Sequence, residues 1–335
     1  MRHNPDDSKR INKRIDEFYN SLYIHKPVLW REIVDFIKES FREGGGLLAD
    51  CTLGEWGHSE ILLRSFPDLK IVGFERDSDI LEAAKGRLSV FDGRVSFVKG
   101  NFSSIAEYFE GRAKPDYILY DFGISSYHLD KSGKGFSFAS EEALNMSLDG
   151  EGLDAWHVIN KYSQDELARV FREYGEEKWG VHIARIIVER RAKEPINSAK
   201  QLASIVLAAI PKRFHVKNIH PATRIFQGVR IEVNNELQSI EEGLKRGFNI
   251  LNENGIMMAI SFHSLEDRIV KNFFRRMKDG CTCSLEPQRC MCENKPFMKA
   301  LTKKPIEADD DEVQWNNRSR SAKLRAAMKI RSADG

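Results

Sequence analysis

The residues best suited to chemistry in this chain lie in a turn between an apolar run and the start of a helix. The run at 47–51 contains Asp50, and Gly54 opens the turn that follows it. Glu75 stands 21 residues after Gly54, at the end of a second apolar run. A glycine turn lets a ligand approach the backbone, and an acid at this offset accepts hydrogen bonds from ribose hydroxyls. The pattern predicts a site for an adenosine-containing cofactor, although Trp56 occupies the second glycine position of the dinucleotide fingerprint.

Polar clusters follow two further apolar runs. Asp121 closes one of them and is followed by Ser125 and Ser126, and residues 261–268 close the other. Such clusters often only cap the next helix. In a doubly wound sheet, however, ligands bind beyond the carboxyl ends of the strands. We therefore expect the three clusters to converge on one edge of a sheet. A Ser-His-Asp triad within 261–268 is disfavoured, because neighbours in sequence rarely face one another and no nucleophile elbow is present.

Five apolar runs predict the strands that position these residues: 47–51, 71–75, 95–98, 117–121 and 256–262. Helical patterns separate the first four, which indicates an α/β fold with a parallel, doubly wound sheet. More than 130 residues separate the fourth run from the fifth, which is too many for one crossover helix. Two capping boxes, Ser163 with Glu166 and Ser198 with Gln201, predict that this gap is helical.

The expected organisation has three parts. Residues 1–24 form an N-terminal extension, 25–130 and 217–335 form a discontinuous main domain, and 131–216 form a helical insertion. A helix from about 235 to 251 leads back to the sheet. At 335 residues the chain is long enough for two domains or for one large domain with an insertion, and 41% apolar residues can build a substantial core.

Composition excludes several classes of protein. No run approaches the roughly 18 apolar residues that a membrane span needs, and the polar N-terminus is not a signal peptide. These features predict a cytoplasmic protein without a membrane partner. A cluster of four cysteines leaves a structural zinc site and free thiols as alternatives, with a redox disulfide disfavoured in a reducing compartment, and no catalytic metal is expected. The cluster comprises Cys281, Cys283, Cys290 and Cys292.

The net charge of +2 argues against bulk coating of nucleic acid, but a local basic patch stands in the C-terminal stretch. It is either a solvated surface or a set of phosphate contacts. Its members include Lys303, Lys304, Arg318, Arg320, Lys323, Arg325, Lys329 and Arg331.

The polar stretches, in this order, resemble the RsmH (MraW) family of bacterial small-subunit rRNA cytosine-N4 methyltransferases, which use S-adenosylmethionine. The most specific strings are H-P-A-T-R at 220–224 and S-F-H-S-L-E-D-R at 261–268. The remaining matching segments are 25–29, 50–59, 121–126, 134–138, 174–177 and 318–325. The resemblance runs from about residue 25 to the C-terminus.

The resemblance implies a class I S-adenosylmethionine-dependent methyltransferase fold, Rossmann-like, with a helical insertion that helps to bind RNA. The implied target is the exocyclic N4 of a cytidine in the decoding region of 16S rRNA, presented as rRNA or as an assembled 30S subunit. Asp121, Ser125 and Ser126 are the catalytic candidates, as acceptors for the amino protons. The implied cofactor site consists of Gly54, Trp56, Gly57, His58, Glu75, Phe102, Asp121 and His128.

The chain departs from the usual family pattern at several of these positions. Trp56 replaces a glycine, which costs about 1 kcal/mol if the position needs a positive φ. Glu75 stands where Asp is usual, and His128 stands where Gln is usual. The altered run at 144–149 loses an acid and an arginine.

These departures keep a second hypothesis open, an rRNA-binding assembly factor with weak or lost catalysis. An NAD-dependent dehydrogenase is disfavoured by the missing second glycine. A homodimer is one open alternative for the oligomeric state.

Overall fold

The computed structural model describes residues 27–41, 45–138, 141–150, 152–217, 219–280 and 295–332. The predicted N-terminal extension and the four-cysteine cluster lie outside these ranges. The chain divides into two compact units, Met1–Gly123 with Ser239–Gly335, and Ile124–Gln238. Within the described ranges, no helix combines the length and the apolar character needed to cross a membrane.

The first unit is built on one eight-stranded sheet, which confirms the predicted doubly wound α/β fold. The strand order is β3-β2-β1-β4-β5-β8-β6, with β7 paired to β8. Strands β1 to β5 are parallel, and β8 runs antiparallel to β5. The strands are β1 Gly46–Asp50, β2 Leu69–Glu75, β3 Val95–Lys99, β4 Tyr117–Asp121, β5 Ile256–Ser261, β6 Met298–Ala300, β7 Ile306–Glu307 and β8 Lys323–Lys329.

Both faces of this sheet are buried, because apolar side chains point alternately to the two faces along each strand. Leu48 and Leu119 belong to one apolar cluster, whereas Ala49 and Ile118 belong to another. Successive side chains of a strand point to opposite faces, so each cluster lies on one side and needs its own layer of helices. The helices are α1 Trp30–Ser40, α2 Gly57–Ser65, α3 Ser78–Leu88, α4 Ile105–Phe109, α12 Ser264–Asp279 and α13 Asp310–Trp315. Helix α11, Glu236–Ile250, is the predicted crossover to β5.

Strands β6, β7 and β8 were not predicted from the sequence, and β8 corrects the interpretation of the basic C-terminal stretch. Lys329 is 1% exposed, and its ammonium group donates to the carbonyl oxygens of Phe248 and Leu251 at 2.8 and 2.7 Å. Arg325 donates to both carboxylate oxygens of Asp267, at 2.7 and 3.1 Å. These two cations stabilise the first unit and do not form part of a phosphate-binding patch.

The second unit is helical. Its helices are α5 Ser126–Asp130, α6 Ala155–Lys161, α7 Gln164–Arg169, α8 Gly180–Arg191, α9 Ala199–Ala209 and α10 Thr223–Asn234. Both predicted capping boxes are present, at the starts of α7 and α9. Helix α7 continues into a π-helical turn at Val170–Tyr174.

The second unit extends past the predicted limits of the insertion, 131–216, at both ends. Helix α10, which was not predicted, buries Ile225, Phe226 and Val229 in the same apolar cluster as Val170 and Phe171. This packing is the physical reason that residues beyond 216 belong with the helical unit.

Candidate active site

Three acids close neighbouring strands at one edge of the sheet. Asp50, Glu75 and Asp121 are the last residues of β1, β2 and β4. Strand β1 lies between β2 and β4, so the strand order reverses beside β1. Ligands of open α/β sheets bind in the crevice at such a reversal, beyond the carboxyl ends of the strands. The first unit therefore brings together Glu75 and Asp121, the two acids that the sequence predicted for the site, with Asp50 on the strand between them.

The turn after β1 holds two residues in the left-handed backbone region. Gly54 has φ of +50°, and Trp56 has φ of 57°. Because φ of Trp56 is positive, we expect backbone strain of about 1 kcal/mol at this residue. The Trp56 ring packs against the apolar core, which offsets that strain. A Cβ atom placed on Gly54 would meet only the Thr52 carbonyl oxygen, at 3.6 Å, so a ligand can approach this backbone.

Glu75 fixes the shape of this turn. Its Oε2 accepts a hydrogen bond from the Gly54 N–H at 3.0 Å. Its Oε1 accepts from the N–H groups of Arg76 and Asp77, at 2.8 and 2.9 Å. A carboxylate oxygen can accept more than one hydrogen bond, so Glu75 can still accept hydrogen bonds from ribose hydroxyls.

Phe102 is held by neighbouring rings at the end of β3. Its ring centroid lies 5.5 Å from that of Tyr120 and 5.8 Å from that of Phe122. Gly243 admits the ring, because a Cβ atom there would lie 2.6 Å from Phe102 Cδ2. The fixed, half-buried ring offers an apolar surface of the kind that contacts a purine.

His58, at the start of α2, is oriented by a hydrogen bond to the backbone just before α1. Its Nε2 donates to the Val28 carbonyl oxygen at 2.8 Å. Burial lowers the pKa of His58, so the ring is neutral and Nδ1 carries a lone pair. That nitrogen lies 3.6 Å from Asp121 Oδ2. The neutral ring therefore supplies an acceptor, and no positive charge, beside Asp121.

The environment of Asp121 disfavours its charged form. Burial raises its pKa to about 7, with Glu266 adding to the rise and the Gly123 N–H acting against it. Its Oδ1 is buried and has no hydrogen-bond partner among the described residues. A buried acceptor without a partner is costly unless a ligand supplies a donor. Asp121 is thus poised to accept a hydrogen bond from a ligand.

Two residues that sequence reasoning did not assign to the site support this arrangement. Thr52 Oγ1 accepts a hydrogen bond from the backbone N–H of Asp121 at 2.7 Å. Asp50 Oδ2 accepts from Ser59 Oγ at 2.7 Å, and burial raises the pKa of Asp50. The spacing of Asp50 and Ser59 in the sequence could have suggested a hydrogen bond between the end of β1 and the start of α2. The Thr52 contact depends on the pairing of β1 with β4 and has no local sequence signal.

Ser125, Ser126 and His128 belong to the second unit, where they form the start of α5. Ser125 is the N-cap residue, and its Oγ lies 2.8 Å from Nδ1 of His128. His128 is buried, and its ring centroid lies 5.4 Å from that of Phe136. The first unit assembles the other candidate residues, and the proposed roles of these three stay predictions.

Comparison with known proteins identifies relatives along almost the whole chain. A model of the MraW methylase family matches residues 22–330. The ribosomal RNA small subunit methyltransferase H of Carboxydothermus hydrogenoformans is 43% identical over 311 residues, covering 92% of this chain and 98% of that protein. The protein of the same name from Geobacter sulfurreducens is 42% identical over 315 residues, covering 92% and 99%.

Solved structures show a weaker likeness. An rRNA methylase from Streptococcus thermophilus aligns over 92% of this chain and 99% of its own, with 9% identity and a TM-score of 0.41. The fold assignment therefore depends on this chain's own sheet. Its strand order, with the antiparallel β8 beside β5, is that of a class I methyltransferase. The fold and the match over residues 22–330 lead to one conclusion: the chain belongs to the MraW methylase family.

Proposed function

We propose that this protein transfers a methyl group from S-adenosylmethionine to the exocyclic N4 of a cytidine in the decoding region of small-subunit rRNA. The observation that carries the proposal is the buried Oδ1 of Asp121, which lacks a partner at the reversal point of the sheet. Family membership, with relatives at 42–43% identity, supports the reaction class and the rRNA substrate. The reaction then takes place in the cytoplasm, where rRNA is made.

The first unit fits the cofactor. Glu75 would accept hydrogen bonds from the ribose hydroxyls, Gly54 would let the cofactor approach the backbone, and Phe102 would contact the adenine. Gly57 and Trp56 form the start of α2 beside this turn. When bound, the cofactor supplies an electrophilic methyl group on a sulfonium sulfur. A positive charge bound beside Asp121 would favour the ionised form of this side chain.

Asp121 then acts on the amino group that receives the methyl. The lone pair of the cytidine amine is delocalised into the ring, so the nitrogen is a poor nucleophile. Acceptors for the amino protons orient that lone pair for in-line attack, and alignment supplies much of the remaining acceleration. Asp121 Oδ1 accepts one of these protons. The proton becomes acidic only after transfer, and the Asp121 carboxylate then takes it.

A methylation assay tests this proposal. The purified full chain is incubated with S-adenosylmethionine and either 16S rRNA or assembled 30S subunits from cells that lack the gene. Nucleoside mass spectrometry then identifies the product. We expect N4-methylcytidine at one site in the decoding region. RNA binding without methylation of either substrate would favour the alternative, an assembly factor that has lost catalysis.

The pH dependence of the reaction follows from Asp121. Because its pKa is raised to about 7 and only the carboxylate acts as acceptor, kcat/KM for S-adenosylmethionine should rise with pH up to about 7 and then level off. Below that value it should fall by about tenfold per pH unit. Initial rates between pH 5.5 and 9 measure this profile. A value of kcat/KM that does not change with pH would show that Asp121 is not the acceptor.

A further inference from the structure

The segment 261–268, at the end of β5 and the start of α12, holds a buried donor that the proposed chemistry does not use. Nε2 of His263 is buried and has no hydrogen-bond partner among the described residues. Oε1 of Glu266 lies 3.0 Å from this nitrogen but off the direction of its N–H, so the contact is electrostatic only. A buried donor without a partner is costly unless a ligand supplies an acceptor.

The tautomer of His263 is fixed by the start of α12. Its Nδ1 accepts the backbone N–H of Glu266 at 3.4 Å, so Nε2 carries the proton. In return, Oε2 of Glu266 accepts the backbone N–H groups of Phe262 and His263, at 2.7 and 3.2 Å. These reciprocal contacts form a capping box in which His263 is the N-cap residue. The ring is therefore held in one orientation, with its donor on Nε2.

Capping alone does not explain a histidine at this position. The cap uses only Nδ1, and a serine or an aspartate would supply the same acceptor to the start of α12. Neither of them would bury a ring N–H that lacks an acceptor. The unpartnered N–H of His263 therefore indicates a ligand.

His263 and Asp121 follow neighbouring strands. Asp121 ends β4, which pairs with β5 in parallel, and His263 comes two residues after the end of β5. The two strand ends stay in contact beyond the sheet, because a Cβ atom on Gly123 would lie 2.7 Å from the Phe262 ring. Glu266 is close enough to contribute to the raised pKa of Asp121. An unpartnered acceptor, Asp121 Oδ1, and an unpartnered donor, His263 Nε2, thus occupy adjacent strand ends.

The strand order places His263 on the side of Asp121 away from the residues assigned to the cofactor. Gly54, Glu75 and Phe102 lie at the ends of β1, β2 and β3, whereas β5 lies on the opposite side of β4. Asp121 therefore stands between the cofactor side of this sheet edge and His263. A donor in this position suits the methyl acceptor better than it suits the cofactor.

We propose that Nε2 of His263 donates a hydrogen bond to N3 of the target cytosine, while Oδ1 of Asp121 accepts from the adjoining N4 amino group. The inference rests on the proposed function, because the cytidine is its substrate. Cytosine presents a donor at N4 beside an acceptor at N3, and enzymes that act on an extruded base read this Watson–Crick edge. Uracil, with an N–H at N3, would oppose donor to donor. His263 is thus a specificity-determining residue that also orients the amino group.

The experiment removes the N3 acceptor from the base and the donor from the protein separately. Two decoding-region fragments of 16S rRNA carry cytidine or 3-deazacytidine at the target position, the latter with C–H in place of N3. The full chain methylates each fragment with S-adenosylmethionine, and the two kcat/KM values give one ratio for each protein. The intrinsic reactivity of each amine is the same for every protein, so a comparison of these ratios isolates the contact with N3.

The variants His263→Asn and His263→Ser keep an N-cap acceptor for α12, but neither places a donor where Nε2 stands. We expect the preference for cytidine over 3-deazacytidine to be smaller by roughly tenfold or more in both variants than in the wild type. Their thermal unfolding should stay close to that of the wild type. His157→Asn, at an exposed histidine of α6, is the matched control and should keep the wild-type preference.

Three results would overturn the inference. The first is an unchanged preference for cytidine in the two folded variants. The second is loss of the folded state in both, which would assign His263 a structural role. The third concerns the cofactor. Calorimetric titration with S-adenosylhomocysteine should give the wild-type affinity for both variants, and a tenfold loss would assign the donor to the cofactor instead.

The outcomes separate this inference from the proposed function. If the wild type methylates the cytidine fragment and the His263 variants keep its preference, the contact with N3 is refuted and the methyltransferase proposal stands. If the wild type methylates neither fragment, the proposed function itself fails, and the inference fails with it.

Discussion

The Asp121→Ala variant is expected to lose methyl transfer by about a thousandfold or more while the protein stays folded. In the proposed mechanism, the carboxylate is the buried acceptor that orients the amino lone pair and removes the proton after transfer. Neither neutral His58 nor a serine hydroxyl can replace a negative charge at that point. The measurement is single-turnover methyl transfer to a decoding-region fragment of 16S rRNA at saturating S-adenosylmethionine. Circular dichroism establishes that the variant is folded. Full activity of the variant would show that the site is misplaced.

The Asp121→Asn variant separates the charge from the shape of this side chain. It should be almost as inactive as the alanine variant, because an amide cannot take up the proton. Although this variant should lose activity, it should be more stable than the wild type at a pH above the pKa of Asp121. The folded protein holds the Asp121 proton up to about pH 7, whereas the unfolded chain releases it near pH 4. Wild-type stability therefore falls as pH rises across that window.

We expect Asp121→Asn to unfold at a higher temperature than the wild type at pH 8 and to lose this advantage at pH 4. Thermal unfolding at the two pH values measures the difference. The exposed Asp79→Asn, on α3, is the matched control for the loss of one carboxylate. An asparagine variant less stable than the wild type at pH 8 would contradict the burial argument.

The Glu75→Ala variant should bind S-adenosylmethionine at least about a hundredfold more weakly. Two effects add. The ribose loses its acceptor, and the N–H groups of Gly54, Arg76 and Asp77 lose the carboxylate that fixes the two turns. Isothermal titration calorimetry with S-adenosylhomocysteine gives the affinity without turnover.

Two further variants locate the cause of this loss. Glu75→Asp tests the shorter acid that is usual at this position, and it should recover part of the affinity because a ribose acceptor is restored. Glu82→Ala removes an exposed carboxylate from α3 and should leave the affinity unchanged. Wild-type affinity of the Glu75→Ala variant would show that the ribose does not bind at the end of β2.

Local patterns predicted most of the first unit. The parallel strands β1 to β5 each contain an apolar run that ends at a polar residue, and the strand-helix alternation indicated a doubly wound sheet. Capping boxes predicted the starts of α7 and α9, because a serine and a glutamate or glutamine three residues later bond each other's backbone. Strand β8 escaped prediction because its lysines and arginine suggested a solvated patch.

The sequence by itself determined the residue types at the carboxyl ends of the strands, a glycine turn and two acids, which predicted an adenosine-containing cofactor; the reaction class came from the resemblance to a known family. Only the tertiary structure decided how these residues behave. Desolvation of Asp121, the tautomer of His58 and the burial of Lys329 all depend on residues far away in the chain. A pKa is set by the burial and charge that surround a group, and packing alone supplies both.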